Sequence, residues 1–341
     1  MRQYFGLSRY WFNKAVEYLR QDGTKASLPF VRHIQGLERQ PWAVSCPQRL
    51  RDHAMNDACK AVRNAKSKYR KTGVPQRVSF RSRKDRTQCF GFDKASLSDM
   101  FVFSPKYRVA FHPSESFTKE LEGTRITYED GRYFVIVPET RNIQKPENQR
   151  LGCVALDPGV RTFITFYSPY MEGKFGEGDF KKIFNLCLEL DRMYSKISKA
   201  KCKRKRNLRK ACARLRWKIY NMIEDLHKKT ARFLVTMFDT VFIPKFETSK
   251  MVTKLESKVA RNMLTFAHYR FKEFLKFKAE EFSCKVVEVS EAYTSKTCSF
   301  CGTIQNIGSK SVMKCKCGME VDRDINGARG IFLRALTVTS S

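Results

Sequence analysis

Four cysteines stand close together near the end of the chain: Cys298 and Cys301 with two residues between them, then thirteen residues, then Cys315 and Cys317. Four thiolates complete a tetrahedral zinc site and leave no open position, so a metal held there would be structural and not catalytic. Gly302 and Gly318 each follow the second cysteine of a pair, where a residue without a Cβ lets the backbone turn and aim its amides at the sulfurs. The second pair is one residue tighter than the usual spacing, which leaves open whether Cys315 and Cys317 both ligate. Free buried thiols are the competing reading. A second chemistry is carried by carboxylates. Asp157 ends the apolar run LGCVALD just before Pro158 and Gly159, and Asp324 opens the run DRDINGARGIF. Strand ends are where α/β domains place functional groups. Taken singly, however, an Asp before Pro-Gly is most often a turn residue and an Asp at a helix start most often a cap.

Charge narrows the partner. Lys and Arg number 66 against 34 acidic residues, a formal net charge of +32. This is far more than solubility requires, and it implies a polyanion. The run from Lys196 to Arg216 holds eleven basic residues and no acid. As a solvated helical hairpin it would repel itself, so neutralisation by phosphates is favoured. Phe80, Phe90 and Phe92 lie among Arg77, Arg81, Arg83 and Arg86, where they could be stacking platforms for unpaired bases but are more readily core. No apolar run reaches the length of a spanning helix and no signal-peptide pattern opens the chain, which predicts an intracellular protein without a membrane partner. The other eight cysteines are scattered without regular spacing and do not suggest a disulfide framework.

These groups need elements to hold them. Apolar residues recur at helical spacing from about Tyr4 to Tyr69, until KTGVPQ breaks the pattern. Alternation then predicts short strands in RVSFRSR, QCFGFD, MFVFS, YRVAFH and TRITYEDGRYFVIVPE, with EDG as a hairpin turn. After the polar linker TRNIQKPENQR, LGCVALD and TFITFY predict a strand pair, and Phe180 to Phe238 a long helical hairpin. TVFIPKF predicts a strand, Leu255 to Phe282 a helix, KVVEVS a strand and Ile325 to Leu336 a last helix. The expected organisation is a multi-domain α+β chain: a helical region over 1–72, a β-rich, barrel-like module over 73–148, and an α/β domain over 149–341 that contains the hairpin (about 180–238) and the cysteine ribbon (about 294–321).

The strings VALDPGVRTF, YTSKTCSFCG and CGMEVDRDINGA resemble the TnpB nucleases and their eukaryotic relatives, the Fanzors, which are related to type V CRISPR effectors. KAVRNAKSKYRKTG and VSFRSRKDRTQCF also look like segments of that family, so the resemblance spans nearly the whole chain. It implies an RNase H-like (RuvC) nuclease domain with an inserted zinc ribbon, preceded by a recognition-type helical region and a wedge-type β-module. It also implies a guide RNA with one protein chain per RNA, a target DNA cut beside a short flanking motif, structural Zn²⁺ and catalytic Mg²⁺. A eukaryotic source would place the protein in the nucleus. The alternative is a nucleic-acid-binding regulator that keeps the nuclease fold without cleaving. The family usually has a strand segment ahead of the first helix, whereas the helical pattern here begins almost at Met1.

On this resemblance Asp157 matches the first catalytic aspartate and Asp324 the last. The middle position departs from the pattern. The family strand that corresponds to Val241–Phe246 ends in a Glu followed by a Met, and matching that Met to Met251 puts Pro244 in the Glu position. Glu247 is three residues on, which strand alternation places on the opposite face. Glu291, just past KVVEVS, is the better candidate, and some Fanzors resemble this arrangement. The expected metal-binding triad is therefore Asp157, Glu291 and Asp324.

Overall fold

In the computed structural model the chain forms two compact units, residues 1–140 and 141–341. The structure describes all residues except 94–96, 99–100, 103–108, 111, 113, 116–122, 144–148, 246–264, 291–293, 295, 307, 309 and 340–341.

The first unit is built on two helices. Helix α1 (Arg2–Leu19) buries Tyr4, Phe5, Leu7, Trp11, Phe12, Ala15, Val16 and Leu19, with Ser8 among them, largely at the three-and-four spacing of one apolar stripe. Three single-turn helices, α2 (Leu28–Val31), α3 (Ile34–Leu37) and α4 (Pro41–Val44), lead to α5 (Gln48–Thr72). The buried face of α5 is Leu50, Ala54, Met55, Ala58 and Cys59. Its small side chains let α1 pack closely against it. Gly73 ends α5 in the left-handed conformation, φ +67°, its N–H bonding the Tyr69 carbonyl.

Strands β1 (Thr87–Gly91), β5 (Arg125–Glu129) and β6 (Arg132–Ile136) make one antiparallel sheet. Short β2 (Leu97–Ser98), β3 (Phe101–Val102) and β4 (Val109–Ala110) make another. Among the described residues these are two separate sheets, and they do not close into a barrel. The EDG turn is a two-residue hairpin with Asp130 and Gly131 both at positive φ, as its residue types require. Phe90 and Phe92 are fully buried, while Phe80 is exposed beneath the Arg20 guanidinium. The alternating run RVSFRSR is not a strand. Side chains satisfy its backbone instead: Asn13 bonds both the N–H and the carbonyl of Arg81, and Arg20 donates to the Val78 carbonyl, while the Arg81 guanidinium, like that of Arg125, donates to Asp57 on α5.

The second unit is a five-stranded mixed sheet ordered β11-β10-β7-β8-β9. Its members are β7 (Cys153–Pro158), β8 (Ile164–Tyr167), β9 (Glu172–Phe175), β10 (Thr240–Pro244) and β11 (Lys285–Val289). β7, β8 and β9 form an antiparallel meander, and β10 and β11 run parallel to β7. Helices α6 (Asp179–Lys199) and α7 (Cys202–Met237) form the basic helical pair between β9 and β10, and α8 (His268–Glu281) crosses from β10 to β11.

The sheet has two buried faces. Val154, Leu156, Ile164, Val241 and Ile243 pack with Leu234, Val235, Phe271 and Leu275 of α7 and α8. Ala155, Phe242 and Val289 pack with Ile331, Phe332 and Ala335 of α9 (Arg323–Thr339). Of the helix expected over Leu255 to Phe282, residues 255–264 lie outside the described residues. The described helix starts at His268, because Ala267 adopts φ +50° and interrupts helical geometry there. The hairpin β12 (Val312–Lys314) and β13 (Glu320–Asp322) enters α9 directly.

Candidate metal and nuclease site

The four ribbon thiols converge. Cys298, Cys301, Cys315 and Cys317 place their sulfurs within 4.8 Å of one another, with Cys298 and Cys317 at 3.8 Å and Cys301 and Cys315 at 3.5 Å. Four sulfurs about 2.3 Å from a common tetrahedral ion stand roughly 3.8 Å apart, so the cluster has the size of a zinc site. The tighter second pair joins it because its turn is shorter by one residue. In the first knuckle the Cys298 N–H bonds the carbonyl five residues on, at Thr303; in the second the Cys315 N–H bonds the carbonyl four residues on, at Met319. Gly302 and Gly318 close the two turns at φ +77° and +89°. The hydroxyl of Thr303 lies 3.3 Å from Cys301 Sγ and is the main cause holding that thiol down at about 6. Among the described residues no other group of three or more Cys, His, Asp or Glu side chains converges in this way.

Asp157 stands at the carboxyl end of β7, and α9 passes close to it. The contact is made by Gly327: a Cβ built on it would lie 2.5 Å from Asp157 Oδ2. Asp324 is three residues earlier on α9, hence on the helix face that Gly327 turns toward Asp157. Capping does not consume Asp324. Asp322 Oδ1 accepts from the N–H groups of Asp324 and Ile325, so the cap is Asp322.

Register adds a residue that no motif marks. Asp157 pairs with Thr165 and Thr165 with Lys174, which puts all three in one row on the α9 face of the sheet. Lys174 Nζ donates to Asp322 Oδ2 at 2.8 Å. Burial opposes the Lys174 charge, but the bond to Asp322 and the charges of Asp322, Asp324 and Glu177 outweigh it and raise its pKa. Asn326, fully buried, is equally unmarked. Its side chain accepts from the Ser299 N–H and donates to the Thr297 carbonyl, bolting the first knuckle to α9. The sequence signal for Asn326 and Gly327 is their presence inside a helix, against propensity.

The turn after Asp157 is held from behind. His268 Nε2 donates to the Gly159 carbonyl at 2.9 Å, and Phe163 is sandwiched between the rings of His227 and His268 at 5.1 and 5.2 Å. Burial pushes both histidines down to about 4. The unfolded chain therefore binds protons that the folded one refuses between pH 6.5 and about 4, so stability falls as pH drops through that window and levels below it. Thermal melts at pH 7.5 and 5 should show a lower midpoint at pH 5, and His227→Phe should lessen the difference. An identical difference in the variant would clear His227 of the effect.

At the middle position, Thr240 pairs with Cys153 and Phe242 with Ala155, so Pro244 comes level with Asp157 on the α9 face. Pro244 in turn pairs with Val289. Neither can bind a metal. Glu247, Met251 and Glu291 lie outside the described residues.

Fold and site together define an α/β domain with carboxylates at its strand ends and a four-cysteine ribbon inserted before its last helix. The Cas12f1-like TNB domain family matches residues 268–331. A transposase-type protein of Acanthamoeba polyphaga mimivirus is 36% identical over 217 residues, 60% of this chain and 44% of that protein. A second, from Paramecium bursaria Chlorella virus 1, is 26% identical over 95% of this chain and 76% of its own length. A protein described as an RNA-guided DNA endonuclease of Escherichia coli is 23% identical over 97% of this chain and 87% of its own. The chain thus spans less than half of the mimivirus relative. It is similar to transposase-type proteins and to a protein described as an RNA-guided DNA endonuclease, and its residues 268–331 to the Cas12f1-like TNB domain.

Proposed function

We propose that the chain is an RNA-guided, Mg²⁺-dependent DNA endonuclease that cuts beside a short flanking motif. The observation that supports this reading is the close approach of Gly327, three residues after Asp324 on α9, to the Asp157 carboxylate, with the helix cap supplied by Asp322. An antiparallel meander continued by two parallel strands is the arrangement of an RNase H-like sheet, and it supports the RuvC reading of residues 149–341. Hard carboxylate oxygens suit Mg²⁺, which when bound would activate water and stabilise the leaving oxygen of a phosphodiester. Lys174, through Asp322, fixes the first turn of α9 and with it the direction of Asp324. The four ribbon cysteines would hold structural Zn²⁺.

Glu291 is our third carboxylate. It follows Val289 by two positions in the sequence, and Glu247 follows Pro244 by three. The protein purified with its RNA should cut matched DNA in Mg²⁺, and Glu291→Gln should abolish cutting while RNA stays bound. If Glu247→Gln abolishes it and Glu291→Gln does not, the third position is Glu247. If the wild type binds RNA and DNA but never cuts, Pro244 marks the loss of the triad and the regulator reading stands.

Guide RNA and target DNA are the proposed partners, one chain per RNA, and the nucleus the proposed location in a eukaryotic host. No described helix is long and apolar enough to cross a membrane. Lys203, Arg204, Lys205 and Arg206 are largely exposed on α7. Neutralising them should reduce the slope of log affinity against log salt by up to about 0.7 for each single-strand phosphate that the helix ceases to neutralise. An unchanged slope would place this helix off the nucleic acid.

A further inference from the structure

The first unit contains a cavity of about 460 Å³ that none of the site chemistry uses. Its apolar lining comes from Val16 and Leu19 near the end of α1 and from Val62 and Ala65 on α5. Tyr69 stands at its edge, half exposed. The segment after Gly73 supplies the opposite wall, with Gln76 partly buried and its amide nitrogen donating to the Val74 carbonyl. That bond leaves the amide oxygen and its second N–H for other partners. The charged residues in the lining are Arg20, Lys66 and Arg77, and there is no acid among them. Arg20 is fixed in place, its guanidinium 4.1 Å from the Phe80 ring and bonded to the Val78 carbonyl.

An apolar slot with an aromatic edge, one amide and three cations matches a particular ligand chemistry. A nucleobase offers a π-face to stack and an edge to hydrogen-bond, and the phosphates on either side of it answer the cations. An apolar peptide side chain would satisfy the lining but leave the three cations unmatched. We infer that this cavity is a binding site for a single unpaired nucleotide of RNA, its base between Tyr69 and the apolar wall and its flanking phosphates on Arg20, Lys66 and Arg77. The inference rests on the proposed RNA partner and deepens it. It makes the helical unit a reader of a looped-out or unstacked base, where a surface of charge alone would bind any phosphate backbone.

The test uses the full chain and two probes: a 20-nucleotide single-stranded RNA carrying 4-thiouridine, and a blunt RNA duplex of equal length. Irradiation should crosslink the single strand to the peptide that carries Tyr69. Tyr69→Ala, and separately Ala65→Trp, which fills the cavity, should each weaken single-strand binding about tenfold, the scale of one lost base stack. Duplex binding should stay within about twofold, and unchanged thermal melting shows that both variants fold. Equal losses on both probes would reduce the cavity to a phosphate contact and overturn base recognition. Unchanged single-strand binding in both variants, with the wild type binding tightly, would overturn the site itself. A wild type that binds neither probe would sink the proposed RNA partner, and the nucleotide site with it.

Discussion

Gly327→Ala is expected to silence the proposed DNA cleavage as completely as Asp157→Asn, although glycine brings no chemistry of its own. In a helix interior alanine is ordinarily the better residue by about 1 kcal/mol. Here the added Cβ would fall 2.5 Å from Asp157 Oδ2, a separation that real contacts do not reach. Either the Asp157 carboxylate turns away from α9, or α9 must lift. Further along the same face the helix is held by Ile331, Phe332 and Ala335 against Ala155 and Phe242, so the carboxylate is the softer partner. Metal-borne stabilisation of a transition state is worth several kcal/mol, and its loss corresponds to a rate decrease of roughly a thousandfold or more. RNA affinity and melting temperature should stay close to wild type, and a single-turnover cleavage assay beside a thermal melt reads both. Near-normal cutting by Gly327→Ala would mean that Asp157 works in another rotamer, and that its approach to Gly327 does not govern the site.

That prediction lies on the border of what is legible in the sequence. The cysteine spacing, the strand ending in Asp157 and the helix that opens near Asp324 are local patterns, and local patterns survive in a one-dimensional reading. The EDG turn is legible for the same reason, since positive φ at two consecutive positions is written in its residue types. Pairing between distant segments is not. Lys174 sits in an unremarkable strand and joins the site only because β9 pairs with β8 and β8 with β7 in one register. RVSFRSR alternates like a strand, yet its backbone groups are claimed by Asn13 and Arg20 from α1, so tertiary contacts override the period. Helical periodicity ahead of Phe282 runs straight through Ala267, where nothing in an alanine announces a left-handed backbone. Asp324 reads as readily as a cap, and only the structure shows the neighbouring Asp322 in that role.

Removing the proposed zinc is expected to have the largest effect on stability, and to stop the proposed cleavage without touching Asp157 or Asp324. Structural zinc in small cysteine domains contributes about 10–16 kcal/mol of binding free energy that is also folding free energy. The ribbon has little else to fold around. Its hairpin is three residues per strand, and Met313 and Cys298 are among its few fully covered side chains. Without the ion the four sulfurs would have nothing to bind in common, and the two knuckles would lose the centre they turn about. The loss does not stop at the ribbon. Asn326 would be left buried on α9 with the Ser299 and Thr297 backbone partners gone, and an unsatisfied buried amide costs about 1–3 kcal/mol. Asn326 lies two residues after Asp324, so the helix turn that presents the carboxylate is the one that loosens. Chelation, or Cys298→Ser with Cys301→Ser, should therefore lower the melting temperature of the full chain and abolish cutting while RNA remains bound. Asn326→Leu separates the two links: the ribbon should still take up one metal ion, visible by the thiolate absorption of substituted cobalt, while cleavage falls. A chain shown to be free of zinc that cuts at the wild-type rate would refute the coupling, and full activity in Asn326→Leu would show that ribbon and carboxylate are joined by some other contact.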